Sequence, residues 1–226
     1  MQEKYYLNRL YPLQDEVLNI IAEHDLDFYL SGGTALSRCF LFHRYSDDLD
    51  LFLNEHPDFK KQSENLVNSL KQRFAQCRVT ITADSFLRMF LETQNIVLKI
   101  DCINDVPFHY NGFEKCDFFG RVDNWRNILS NKICALSRME PKDYADVLYI
   151  AEKYEFEWEE IIAKARQKDL WVEPLEISRI IKSFPVKYLD SLKWITPPDM
   201  QQAKKHFDQI AVEILKGEKN SLPDQS

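Results

Sequence analysis

The sequence predicts an α+β fold, with a mixed β-sheet core and flanking helices followed by an all-helical C-terminal part. Three observations carry that prediction. Short apolar runs with strand-like alternation recur up to residue 103. A glycine pair, Gly32-Gly33, joins one such run to a stretch able to open a helix. From residue 124 onward the pattern turns helical and is cut by prolines.

Taken in order, residues 12–24 read as an amphipathic helix, because Leu13, Val17, Ile20 and Ile21 recur at helical spacing and Pro12 is tolerated in a first turn. Residues 27–31 form a compact apolar run and predict a short strand. After Gly32-Gly33-Thr34 and a helical segment, residues 48–53 alternate in the manner of a strand. A second helix is expected within 54–74, with Phe59, Leu66, Val67, Leu70 and Phe74 on its apolar face. Strands follow at 79–82, 86–92 and 96–103, the last two joined as a hairpin through residues 93–95. Residues 105–123, with Pro107, Gly112 and Gly120, read as irregular, and the domain boundary is placed there. The expected division is an α/β core over 1–115 and a helical domain over 116–226. Helices are expected near 124–138, 141–154, 157–168, 174–184 and 197–216. The polar end, GEKNSLPDQS at 217–226, is expected to fray.

Bulk properties narrow the function classes. A chain of 226 residues is long enough to bury a core, and 45% hydrophobic with 29% charged residues is ordinary for a soluble globular protein. No run of eighteen apolar residues occurs, and the N-terminus lacks the apolar stretch of a secretory signal. Five cysteines without a CxxC pair argue against structural zinc. Cys39, Cys102 and Cys134 sit in apolar patterns that suit free thiols in a reducing cytoplasm. A net charge of −7 argues against a general nucleic-acid-binding surface, though not against a local basic groove or metal-bridged polyphosphates.

The chemistry-bearing residues are aspartates. On a strand, residues two apart share a face, so Asp48 and Asp50 project together while Leu49, Leu51 and Leu53 face a core. Adjacent carboxylates raise each other's pKa unless a cation lies between them, and such a pair suits Mg²⁺-assisted phosphoryl or nucleotidyl transfer. The plainer reading is a solvent-facing strand edge. In IVLKIDCI, Asp101 lies within an apolar strand, where an unpaired aspartate is costly. It either completes a metal-binding triad or pairs with Lys99 or an arginine. Gly32, Gly33 and Thr34 stand at a strand-to-helix junction, where backbone N–H groups favour an anion; the plainer reading is a tight turn. Neither GxxxxGK[ST] nor GxGxxG occurs.

With these residues assembled, the chain resembles the nucleotidyltransferase superfamily, whose signature is a hydrophobic strand, Gly-Gly or Gly-Ser, and a downstream Asp-x-Asp. More narrowly, SGGTAL with HRYSDDLDLF is similar to the AbiEii/AbiGii toxin branch, whose members read GGTAL and HRxSxDxDLF. A second block, NKICALSRMEPKDYADVLYI, carries Lys132, Ala135, Arg138, Lys142, Asp143 and Asp146 in that branch's lysine, arginine, KDxxD order. The resemblance covers roughly residues 20 to 155, and the C-terminal helices beyond it match nothing.

The resemblance implies a nucleotidyltransferase-type mixed sheet and a Mg²⁺- or Mn²⁺-dependent transfer of a nucleoside monophosphate from an NTP, with pyrophosphate released. It implies the toxin of a toxin–antitoxin pair, with a cognate antitoxin, and tRNA as the acceptor in some relatives. By position, Gly32, Gly33 and Thr34 would hold the triphosphate, Asp48 and Asp50 the metals, and Asp101 the place of the third carboxylate and base. Lys132 would reach the nucleotide phosphates, and Asp143 or Asp146 would match the acid of the last motif.

The residues themselves leave alternatives open. Asp143 and Asp146 share a helix face, yet Lys142 and Asp146 at i,i+4 also describe a surface ion pair worth ~0.3–0.5 kcal/mol. Arg44 and Ser46 are close enough in sequence to serve a phosphate beside Asp48, and Arg44 equally suits a brace on Asp47 or Asp48. His43 reads as a capping or packing residue. Lys164, Arg166, Lys168, Arg179, Lys182 and Lys187 make a basic section that faces either RNA or plain solvent. Three functions therefore compete: transfer to RNA, transfer to a protein hydroxyl or small molecule, and a non-catalytic nucleotide- or partner-binding module on the same fold.

Overall fold

The computed structural model describes residues 2–93 and 96–223. The chain divides into two compact units, Met1–Ala35 with Tyr45–Asn124, and Leu36–Arg44 with Trp125–Ser226. Residues 36–44 thus group with the helices, and 116–124 with the sheet.

The first unit is built on a seven-stranded mixed sheet of order β3-β4-β5-β2-β1-β7-β6. Its strands are β1 (Tyr29–Ser31), β2 (Leu49–Asn54), β3 (Cys77–Thr82), β4 (Phe86–Thr93), β5 (Ile96–Asp105), β6 (Glu114–Cys116) and β7 (Phe119–Val122). Strands β2 and β5 run parallel, as do β1 and β7, while the remaining neighbours are antiparallel. Helices α1 (Tyr11–Glu23) and α2 (Phe59–Arg73) pack together. Strand alternation does the sorting: Leu49, Leu51 and Leu53 on β2 are buried with Leu98, Ile100 and Cys102 on β5 and Leu87, Met89 and Leu91 on β4. Each fully buried aliphatic side chain contributes roughly 1.5–3 kcal/mol. The opposite face of β2 and β5 mixes Phe52, Val97 and Ile103 with Asp50, Lys99 and Asp101.

One segment departs from expectation. The region 105–123 is not irregular throughout, because β6 and β7 form a hairpin there. The turn between β4 and β5, at residues 94–95, lies outside the described residues.

The second unit contains α3 (Trp125–Ala135), α4 (Pro141–Lys153), α5 (Trp158–Lys168), α6 (Pro174–Ser183) and α7 (Met200–Lys216). Pro141 and Pro174 open their helices, where a missing N–H costs nothing. Asp199 caps α7, its Oδ1 accepting from the N–H groups of Gln201 and Gln202. Gly217 ends α7 at φ +68, a left-handed conformation that glycine adopts without a Cβ penalty. The segment beyond it does not fray. The Asn220 side chain donates to the carbonyls of Ala151 and Tyr154, and Leu222 is buried. Residues 224–226 lie outside the described residues. Cys39, expected as a free thiol, is disulfide-bonded, whereas Cys102 and Cys134 are free.

Candidate functional site

In the sheet unit, β1 ends at Ser31 and the chain turns at Gly32 with φ +69. Glycine is required there twice over. The conformation disfavours other residues, and a Cβ would stand 2.4 Å from Asp50 Oδ2. The carboxylate of Asp50 therefore lies directly against the backbone of the turn. Thr34 is wholly buried; its hydroxyl bonds with Ser46 Oγ (2.9 Å) and donates to the Asp48 carbonyl (2.5 Å). From the other side Gln14 Nε2 donates to the carbonyl of Ser46 (3.3 Å). Thr34, Ser46 and Gln14 thus fix the lead-in to β2. These contacts commit the Thr34 hydroxyl to the protein itself.

Register then assembles the charged face. Asp50 is paired with Ser31 on one side and with Asp101 on the other. Asp101 faces Arg88 across β4–β5 and is bound by it in two-pronged fashion, Nε to Oδ1 and Nη2 to Oδ2, both 2.7 Å. Lys99 Nζ lies 2.7 Å from Asp48 Oδ2 and 3.6 Å from Asp101 Oδ2. Burial works to lower the Lys99 pKa, but Asp48, Asp101 and Asp50 outweigh it and hold the ammonium above its ordinary value. The hydrogen bonds to Asp101 likewise raise Arg88. The face stays reachable: the side chains of Asp48, Lys99 and Arg88 are 30%, 25% and 33% exposed, against 8% for Asp101.

The donor chemistry suits a hard divalent cation, since Asp48 and Asp50 offer anionic oxygens on one face. Asp101 stands beside them but is committed to Arg88. Among the described residues no three His, Cys, Asp or Glu side chains are poised together to hold a metal. The arrangement therefore fits an ion held by the Asp48/Asp50 pair, with Asp101 in the guanidinium's grip.

The second half of the expected site forms a separate network within the helical unit. Asp143 and Asp146 lie in the early turns of α4, three residues apart on one face. Lys132 of α3 bridges them, its Nζ 2.6 Å from Asp143 Oδ1 and 2.8 Å from Asp146 Oδ2. Arg44 clasps Asp146 with Nε and Nη2, each at 2.8 Å. Asp146 is thus its two-pronged partner within the helical unit. The Ser37 hydroxyl donates to the Arg44 carbonyl and steadies that end of the segment. Burial pushes the Asp146 carboxyl up, but Arg44, Lys132 and His43 together hold it well below the usual carboxylate range. Asp146 is wholly buried, so the surface pair with Lys142 does not form.

His43, read from the sequence as a capping or packing residue, is buried and packed, and it also meets Asp146. Its Nε2 sits 2.8 Å from Asp146 Oδ1, and burial lowers its pKa despite that carboxylate. Neutral His43 donates from Nε2, which leaves Nδ1 buried with no partner among the described residues. Tyr149 and Trp194 flank the ring. Only its position beside Arg44 could have signalled this role.

Within the basic section, several cations are engaged locally: Arg166 with Glu173, Arg179 with Glu176, and Lys168 with the side chains of Asn127 and Asn131.

Comparison with known proteins adds three findings. The family model described as nucleotidyl transferase AbiEii toxin, type IV TA system, matches residues 17–220, which takes the likeness through the C-terminal helices. The crystal structure of JHP933 from Helicobacter pylori is similar with a TM-score of 0.62 at 19% identity, over 96% of this chain and 93% of that one. A second H. pylori structure, described as a candidate nucleotidyltransferase, gives the same score and identity over 96% of both chains. At that identity the two structures speak for the fold alone. No curated protein matches.

Proposed function

The chain belongs to the AbiEii nucleotidyl transferase toxin family of type IV toxin–antitoxin systems, and from that premise we propose that it moves a nucleoside monophosphate from an NTP to a hydroxyl of RNA, with tRNA as the acceptor, in a Mg²⁺- or Mn²⁺-dependent reaction. The observation that carries this reading is the partly exposed Asp48/Asp50 pair, fixed in register beside the Gly32 turn. The acceptor oxygen forms a bond to the α-phosphorus, the α–β phosphoanhydride breaks, and pyrophosphate leaves with the electron pair. Asp48 and Asp50 would hold the ion, which would supply positive charge to the phosphates and acidify the attacking hydroxyl.

The protein's own groups do the rest. Lys99 neutralises Asp48 until a cation competes for that carboxylate, so metal affinity and the Lys99 contact oppose each other. Asp101 takes the acceptor's proton only when Arg88 releases one of its oxygens, so its service as base requires that pair to open. Gly32 and Gly33 keep the turn thin enough for phosphate oxygens to approach backbone. Lys132 and Asp143 or Asp146, which the family block implies for the nucleotide, serve here as the frame of the helical unit, a buried ion-pair network. Within it the two aspartates orient the Lys132 ammonium. The NTP and tRNA place the reaction in the cytoplasm, and among the described residues no helix is long and apolar enough to cross a membrane. A cognate antitoxin is part of the reading, and a small reading frame directly upstream is its cheapest check.

The experiment is transfer from each α-labelled NTP to total tRNA with Mg²⁺, beside Asp48→Asn/Asp50→Asn. Label in RNA with the wild type alone supports the reading. Label on protein or a small molecule moves the acceptor. Metal-dependent NTP binding without transfer makes the chain a binding module.

A further inference from the structure

We propose that Asp123, with Ser31 and His109, is a positioning device that holds the Gly32 turn against Asp50 and so sets the metal affinity of the carboxylate pair. The proposal rests on the reading above that Asp48 and Asp50 bind a divalent cation.

Asp123 directly follows β7, and its backbone N–H donates to the Leu30 carbonyl on β1 (2.8 Å). Its side chain is wholly buried. Oδ2 accepts from the Ser31 hydroxyl at 2.6 Å, and Oδ1 faces His109 Nε2 at 3.0 Å. The other imidazole nitrogen, Nδ1, donates to the Asn111 carbonyl (2.7 Å). That pins the ring, which also meets Tyr29 edge-on and Phe113 at a tilt. A buried carboxylate with two such partners is a rigid anchor, because losing either leaves an acceptor without compensation.

What it anchors is Ser31, the residue cross-strand from Asp50 and the last before Gly32. Asp50 Oδ2 packs on the Gly32 backbone so closely that not even a methyl group fits. A shift of a few tenths of an ångström in the Ser31–Gly32 backbone is therefore transmitted to the Asp50 carboxylate. The chain of contacts runs Asn111, His109, Asp123, Ser31, Gly32, Asp50, entirely within the sheet unit. A hydrolytic role for this serine does not follow. Its hydroxyl faces the carboxylate, and the imidazole lies on the far side of that carboxylate, so the imidazole does not reach Ser31.

The test is Mn²⁺ titration of the full chain, followed by calorimetry and by the paramagnetic signal of free Mn²⁺, on wild type, Ser31→Ala, Asp123→Ala and the double variant. Partners that orient metal ligands typically change affinity 10–100-fold. Ser31→Ala and Asp123→Ala are each expected to weaken Mn²⁺ binding about tenfold, and the double variant no further, since both cut one chain of contacts. Ser31→Ala removes a single oxygen and carries the test if Asp123→Ala fails to fold. Mn²⁺ affinity within twofold of wild type in Ser31→Ala, even with a lowered melting temperature, overturns the proposal and leaves the function standing. A wild type that binds no Mn²⁺ overturns the metal reading itself, and this proposal with it.

Discussion

Two lysines, each bridging two aspartates, divide the molecule's electrostatics between them. Lys99 spans Asp48 and Asp101 on the open face of the sheet, at 2.7 and 3.6 Å with a quarter of its side chain exposed. Lys132 spans Asp143 and Asp146 among the helices, at 2.6 and 2.8 Å with a tenth exposed. The chemistry is the same and the solvent differs. Near water the ion pair is weak and exchangeable, which leaves the Asp48 carboxylate open to competition from another cation. Buried, the charges have lost hydration and depend on one another, which suits a frame that must not move. The contrast teaches that one family signature maps onto two physically different devices.

Ranked by effect on stability, the first way to break the comparison is to replace the lysines. Lys132→Met takes the buried ammonium from Asp143 and leaves Asp146 to Arg44 and His43, and is expected to cost about 3–5 kcal/mol, whereas Lys99→Met should cost under ~1 kcal/mol. Urea unfolding of both variants decides it, and equal costs would erase the distinction. Next, Gly32→Ala combines a positive φ with a Cβ 2.4 Å from Asp50 Oδ2. A loss of about 1–3 kcal/mol is expected in the same unfolding measurement, together with weakened metal binding in an Mn²⁺ titration.

A third, smaller effect is pH dependence. The folded pKa of His43 lies below its ordinary 6.5, so the unfolded chain takes up the proton first. Stability is complete above pH 6.5 and falls as pH drops below it, with Asp146 adding a further loss below its ordinary 3.8. His43→Gln should flatten the slope of melting temperature just below pH 6.5 and leave the loss at lower pH in place. A slope unchanged in the variant would remove His43 from the network.

Much of this was legible in the sequence, for local reasons. The alternation in LDLFLN turned Leu49, Leu51 and Leu53 to the core and Asp50 to the other face, and a pairing of Asp101 with Lys99 or an arginine was among the readings. Pro141 and Pro174 marked helix starts because proline suits a first turn. What stayed hidden was non-local or lacked local periodicity. The β6–β7 hairpin has strands of only three and four residues, too short for alternation to reveal it. Arg44 sits four residues from Asp48 in sequence, yet it finds its partner 102 residues away in Asp146. His43 and Asp123 are likewise defined by contacts 103 and 92 residues distant, which no window on the chain can see. The polar tail looked frayed because its anchors, Ala151 and Tyr154, are also remote.

The central claim is that the open face does the chemistry and the buried network holds the frame. Its most direct test measures, in one preparation of Asp48→Asn/Asp50→Asn, both nucleotidyl transfer to tRNA and unfolding free energy. Transfer should fall at least ~10³-fold, about 4 kcal/mol of transition-state stabilisation, while stability stays within ~1 kcal/mol of wild type, because the lost charges are partly exposed. Retained transfer, or a collapse of stability like that expected for Lys132→Met, would contradict the account.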